Sequence, residues 1–212
     1  MEQVDLFFTH IPPVTRVCLV SSTLLMALCT LEIISPFSLY MNWQLVFTHG
    51  QVWRLITCFL FFGTFSLHFF WNVYVLIFYC STLEEHRRSA TFLWMLICTG
   101  GLLLAFSYIF GVSSYFFSGS MINVMTYIWG RRNPNTRLSI FFMPVQAPYL
   151  PFLLALLSLL VGWNMADHLV GIAVGHFYYF FEDVYPLLPT SKGFRIFRTP
   201  RILMWLLKQS ED

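Results

Sequence analysis

Four residues in this chain are of the types that cleave amide bonds through a serine nucleophile. Ser118 stands in "FFSGSM", followed by Gly119, and His168 opens the run "HLVGIAVGHFYYFFEDVYP". His68 and Asn72 are four apart in "HFFWN", a spacing that puts both on one face of a helix. A Ser–His dyad supplies nucleophile and general base, and an Asn with a second His can hydrogen-bond the oxyanion that forms. The residues also have simpler readings. "SSYFFSGSM" is rich enough in serine for one to fall anywhere by chance, and His168 has Asp167 beside it as a partner. His68 and Asn72 are equally able to bond within a helix bundle.

The elements that would position these groups are membrane helices. The 212 residues are 58% hydrophobic and 10% charged, with 24 Phe, whereas soluble domains carry about a quarter charged residues. Such a chain cannot cover a water-facing surface with polar groups, and its length suits one domain. Apolar runs predict six spans: Val17–Ile34, Leu55–Cys80, Thr91–Phe110, Val112–Trp129, Pro148–Trp163 and Asp167–Phe181. The loops "STLEEHRRSA" and "GRRNPNTRLS" separate the second from the third and the fourth from the fifth. With the N-terminus inside, only Arg54 of the twelve Lys and Arg falls outside, so both termini are expected in the cytosol. The opening "MEQVDLFFTHIPPVTR" lacks a basic region leading to a cleavage site, so the first span is expected to act as an uncleaved anchor.

Outside the spans, "SPFSLYMNWQLVF" spaces Phe37, Tyr40, Trp43 and Phe47 as an interfacial helix would. The tail "GFRIFRTPRILMWLLKQ" mixes basic and apolar residues and reads as a membrane-surface segment facing lipid, not nucleic acid. The cysteines Cys18, Cys29, Cys58, Cys80 and Cys98 all lie in apolar segments without a C-x-x-C, so neither disulfide nor metal nor cofactor is expected. Within the last span the strongly apolar part, Leu169 to Phe181, would cover about 20 Å of an apolar layer roughly 30 Å thick. The fourth span carries Ser113, Ser114, Ser118, Ser120, Asn123 and Thr126, and polar groups at depth face a bundle interior or a wet cavity. Together these features suggest a hydrated cavity in a locally thinned membrane, bordered by Ser118, Ser120 and Asn123; helix–helix hydrogen bonding is the plainer alternative.

Six pieces in order resemble the derlins of the rhomboid superfamily: "IPPVTR", "QVWRLITCFLFFG" with Trp53-Arg54, "YIWGRRNP", "QAPYLPF", "GIAVGHFYYFFEDVYP" and "RIFRTPRIL". The resemblance implies an all-α, six-span, rhomboid-like transmembrane domain over residues 1–205, with 206–212 a short cytosolic tail. It also implies residence in the endoplasmic reticulum membrane and a part in endoplasmic-reticulum-associated degradation. Derlins recognise misfolded proteins and help move them to the cytosol, with a membrane ubiquitin ligase and a segregase AAA ATPase as companions; on this resemblance Ser118, Ser120 and Asn123 are the candidates to face such clients. The chain stops at "KQSED" without the tail motif by which many derlins bind that ATPase, so direct binding is not expected. Homo- or hetero-oligomers are left open.

Measured against rhomboid proteases, Ser118 and His168 fall where the dyad would, and His68 and Asn72 match H-x-x-x-N. The first glycine of the protease G-x-S-G is Phe116 here, a poor occupant of a tight turn. The resemblance therefore implies a pseudoprotease. An active protease using Ser118 and His168 is one alternative, and a ligase and ATPase scaffold without client contact is another. Gly171 and Gly175 form G-x-x-x-G, a close-packing face. Trp53 and Arg54 are expected to anchor the first loop at headgroup level, and Tyr185-Pro186 to end the last helix.

Overall fold

The computed structural model describes residues 11–111, 115–140, 143–161, 165–191 and 193–207. Of the residues discussed above, Val112, Ser113, Ser114, Trp163 and the two ends beyond these limits lie outside the described residues. The chain divides into two compact units, Met1–Ser89 with Ser113–Gly119, and Ala90–Val112 with Ser120–Asp212.

The first unit is built on α1 (Pro13–Thr30) and α4 (Leu67–His86). Proline at the first helical position starts α1, where its missing N–H costs nothing. The first loop holds a 3-10 turn at Pro36–Ser38 and then α2 (Trp43–His49). The single interfacial helix expected over "SPFSLYMNWQLVF" is therefore two pieces. Asn42 interrupts it as an extended N-cap whose side chain accepts from Leu45 N, and Gly50 ends α2 with φ 64.

The expected span Leu55–Cys80 is also divided, into α3 (Arg54–Leu60) and α4, with non-helical residues 61–66 between. Gly63 turns the chain at φ 102, and the Ser66 side chain caps α4 by accepting from Phe69 N. A helix break in apolar surroundings orphans carbonyls, and one is answered here: Ser118 Oγ donates to Phe61 O at 2.8 Å. Cys29, Leu39 and Phe61 form a small core beside this break, with Leu25, Ile34 and Phe116 against it. The expected loop "STLEEHRRSA" shrinks to Arg87 and Arg88, because α4 continues through Glu84 and Glu85 to His86.

Within the second unit, α5 (Ser89–Phe110) leads, and α6 runs Ser118–Arg132, later than the fourth span expected at Val112–Trp129. The supposed loop after it contains an antiparallel hairpin of β1 (Arg137–Ile140) and β2 (Met143–Gln146), with Arg137 opposite Gln146. Then follow α7 (Leu150–Val161) and α8 (Met165–Tyr179). Tyr185-Pro186 does not end a plain α-helix. The run passes through a π turn at Phe180–Val184 and a 3-10 turn at Tyr185–Leu187 before the chain extends at Leu188. The last helix, α9, is Arg201–Leu206.

Helices α1 and α5 are long and apolar enough to cross a membrane. Both present large apolar side chains outward: Val17, Val20 and Leu24 from α1, Ile97 and Ile109 from α5. In water those surfaces would be a liability; against hydrocarbon they are solvated.

Candidate functional site

The polar and small residues singled out in the sequence collect on two helices of the second unit. Along α6, Ser120, Asn123, Tyr127 and Arg131 are spaced three, four and four apart; along α8, His168, Gly171, Gly175 and Tyr179 repeat that spacing. Such spacing makes a single stripe on each helix. The stripes meet in register. His168 Nδ1 donates to Asn123 Oδ1 at 3.0 Å. At Gly171 a side chain would stand 2.7 Å from both Asn123 Cβ and Ser120 O, and at Gly175 it would stand 3.0 Å from Tyr127 Cβ. Below them Tyr127 OH is bonded to His176 Nδ1 at 2.7 Å, and the Arg131 guanidinium lies 5.5 Å from the Tyr179 ring centre. Arg132 closes the seam, donating through Nε at 2.9 Å and Nη2 at 2.7 Å to Asp183 Oδ2. Partner numbers rise together, so α6 and α8 run parallel, as helices separated by one returning helix do.

Each contact has a chemical logic in an apolar medium. Glycines let the two backbones approach, and side-chain hydrogen bonds replace the water that is not there. The ion pair sits at the end of the seam, where α6 leaves its apolar stretch. A third glycine, Gly130, has the same role toward the 3-10 turn Ala147–Tyr149 that follows the hairpin, since a side chain on it would overlap the Ala147 carbonyl. Gly130, Tyr127, His176, Arg132 and Asp183 were not singled out from the sequence. The matched spacing of the two stripes was the available signal for Tyr127.

Elsewhere the candidate residues are dispersed among other tasks. Ser118 spends its hydroxyl hydrogen on Phe61 O, a backbone carbonyl at the helix break. His68 and Asn72 do share a face of α4, where the Asn72 amide donates to His68 Nδ1 at 3.1 Å. The client-facing candidates Ser118, Ser120 and Asn123 are 6%, 1% and 3% exposed. For Ser120 and Asn123 the covering element is the Gly171 turn of α8. The Ser120 hydroxyl is buried without a hydrogen-bond partner among the described residues.

In the first unit Trp53 and Arg54 hold the first loop by its backbone. Arg54 Nη1 donates to Phe37 O at 3.0 Å and Tyr40 O at 2.8 Å, and its guanidinium carbon lies 4.9 Å from the Tyr40 ring centre. Trp53 Nε1 donates to Ser38 O at 3.3 Å, and Thr57 Oγ1 to Leu39 O at 3.1 Å. Four consecutive carbonyls, residues 37 to 40, are thus satisfied by one turn of chain around the start of α3. Gln51 Oε1 accepts from Arg54 Nε at 2.7 Å and fixes the fork. Trp53 itself is half exposed, as an interfacial indole would be.

The described residues hold no cluster of three or more His, Cys, Asp or Glu able to bind an ion. Comparison with known proteins agrees with the arrangement of motifs. Maize Derlin-2.1 is 36% identical over 215 residues, covering 95% of this chain and 85% of that protein. Derlin-2.2 of Arabidopsis thaliana is 34% identical, covering 95% and 87%, and maize Derlin-1.1 is 33% identical over 199 residues, covering 92% and 81%. The Der1-like family profile matches residues 11–201, from the turn before α1 to the first residue of α9. The clasp around the first loop and the glycine seam both lie inside that match, and the chain belongs to the membrane-embedded Der1-like family.

Proposed function

We propose that the chain serves endoplasmic-reticulum-associated degradation, recognising misfolded proteins at the endoplasmic reticulum membrane and aiding their retrotranslocation to the cytosol. The observation that carries this reading is the similarity to derlins over nearly the whole chain, with the family match spanning residues 11–201. In the proposed topology, α1, the broken pair α3 and α4, α5, α6, α7 and α8 make six rhomboid-like spans with both termini cytosolic. The positive-inside distribution of Lys and Arg supports that orientation.

The proposed mechanism is passive. The short apolar run Leu169 to Phe181 favours a thinned, hydrated region that lowers the cost of moving a polar chain across, whereas Ser118, Ser120 and Asn123 of α6 are buried within the chain and do not line it. A membrane ubiquitin ligase and the segregase AAA ATPase are the proposed partners, acting on the client from outside the bundle. A photocrosslinker at Gly119 tests client contact, because a side chain added there meets open space while its neighbours Ser118 and Ser120 are buried. With degradation stalled, client chains are expected to crosslink at position 119. Ligase co-purification without any client crosslink there would instead identify a scaffold.

Proteolysis is not part of the proposal. Support comes from Phe116 at the turn before Ser118 and from the Ser118 hydroxyl's bond to Phe61 O, which spends its proton on structure. An activity-based serine probe applied to membranes is expected to label wild type and Ser118→Ala equally, at background. Labelling lost in the variant would reinstate the Ser118 and His168 dyad.

A further inference from the structure

The stretch that follows α8 is fastened to the second unit at two points and then carries an exposed, mixed basic and apolar surface. Trp94 Nε1 donates to Phe197 O at 3.1 Å, Phe197 stacks on Tyr178 with centroids 5.1 Å apart, and Thr199 Oγ1 donates to Thr91 Oγ1 at 3.3 Å. Thr91 and Trp94 lie in the first two turns of α5, about 3 and 8 Å along its axis from Ser89. That position matters. Thr91 opens the apolar run expected to span the membrane, so residues 197–199 pack against the N-terminal end of that run. Between Phe197 and Thr199 the chain passes from the Trp94 level to the Thr91 level, so α9 begins beside the N-terminal end of α5.

What the segment presents there is unlike the rest of the molecule. Arg195, Arg198 and Arg201 are exposed, spaced three apart around the fastening points. Ile202 is 72% exposed, Trp205 81% and Leu206 63%, although α9 follows directly on a packed strap. No Asp or Glu occurs between Asp183 and Glu211. An acidic protein surface would match the arginines but leave no reason for a bare Trp and Ile beside that end of α5. An anionic leaflet matches both: guanidinium groups pair with phosphate, and the indole settles at the interface.

We propose that residues 194–206 are an anionic-lipid site, in which Arg195, Arg198 and Arg201 bind phospholipid headgroups while Ile202 and Trp205 enter the interface beside the N-terminal end of α5. The strap at Phe197 and Thr199 fixes where this anchor lands, so the lipid bound is the layer next to α5 and α8. The site does not depend on client transport. It holds or fails by lipid binding alone.

The test uses the full chain in nanodiscs containing either photoactivatable phosphatidylserine or photoactivatable phosphatidylcholine, with labelled peptides identified by mass spectrometry. Peptides covering 194–206 are expected to take the serine lipid in preference to the choline lipid. Replacing the three arginines (R195Q, R198Q and R201Q) is expected to reduce that labelling on the order of tenfold, and raised salt to reduce it in the wild type. Ile202→Ser with Trp205→Ser keeps the charges and is expected to lower labelling by both lipids. All five side chains are surface-exposed, so the variants retain the fold, which unchanged labelling elsewhere in the chain verifies. Equal labelling by the two lipids in wild type, absence of labelling at 194–206, or labelling indifferent to the arginines would overturn the proposal.

Discussion

Gly171→Leu is expected to abolish accumulation of folded protein, and Gly171→Ala to lower its stability by about 1–3 kcal/mol. The two neighbours of a side chain at 171 are Asn123 Cβ and Ser120 O, each 2.7 Å from where its first carbon would sit. One of these is backbone within α6 and cannot rotate away. The other belongs to the residue that accepts the His168 hydrogen bond, so relief by separation of the helices breaks that bond too. Gly175→Ala makes a useful contrast. Its clash is softer, 3.0 to 3.3 Å from the Tyr127 side chain, and alanine favours the helix by about 1 kcal/mol over glycine. Tyr127 is tethered to His176, however, so the ring gives way only at the expense of that bond. A small net change of either sign is therefore expected at 175. The yield of folded protein reads Gly171→Leu, and thermal melting of the detergent-solubilised protein, monitored by tryptophan fluorescence, separates Gly171→Ala from Gly175→Ala. A Gly171→Leu protein that melts with wild type would show that α6 and α8 are not closely packed.

The seam was half visible in the sequence. Gly171 and Gly175 announce a close contact but do not name the helix contacted, since every apolar helix in the chain offers a plausible surface. Membership of the membrane class was plain from composition, because 10% charge cannot cover a water-facing surface. Helix breaks were harder to see. "LFFGTFSLHFFW" is mostly apolar and uncharged, so hydropathy carries it as one span, and only Gly63 followed by Ser66 marks where α3 stops and α4 is capped. Ser118 shows the reverse problem. Its sequence context suggests a nucleophile, yet the group it serves, Phe61 O, is 57 residues away and exists as an orphan only because of that break. Charge misleads in a similar way at "STLEEHRRSA". Two adjacent glutamates before two arginines resemble a solvated loop, and nothing local distinguishes the exposed Glu85 from the buried Glu84.

Glu84→Ala is expected to destabilise the protein by more than about 3 kcal/mol, since single hydrogen bonds to charged groups contribute about 1.5–3 kcal/mol and this side chain receives three. Its Oε1 accepts from Val14 N at 3.0 Å, and its Oε2 accepts from Thr15 N and Thr15 Oγ1, both at 2.8 Å. These are orphan donors at the start of α1, where no earlier turn supplies carbonyls and where Pro12 has no capping side chain. A carboxylate there also faces the positive end of the helix dipole. Glu84 is 3% exposed and Thr15 fully buried, so water does not replace what alanine removes. Glu84→Gln keeps the shape but turns one oxygen into an amide donor, which meets an N–H or hydroxyl donor head on; about half the loss is expected. Thr15→Val removes one donor and leaves the carboxylate its two amides, for a loss of about 1.5 kcal/mol, the lower end for a bond to a charged group because the methyl leaves no unpaired group at 15. Hydrogen exchange supplies the local readout, with faster exchange at the Val14 and Thr15 amides in Glu84→Ala, beside melting for the global one. Wild-type melting and protected amides in Glu84→Ala would mean that α1 is capped by something other than α4. The order Ala, then Gln, then Thr15→Val follows from counting donors left without a partner, so a different order would point to charge or packing, not capping, as the cause.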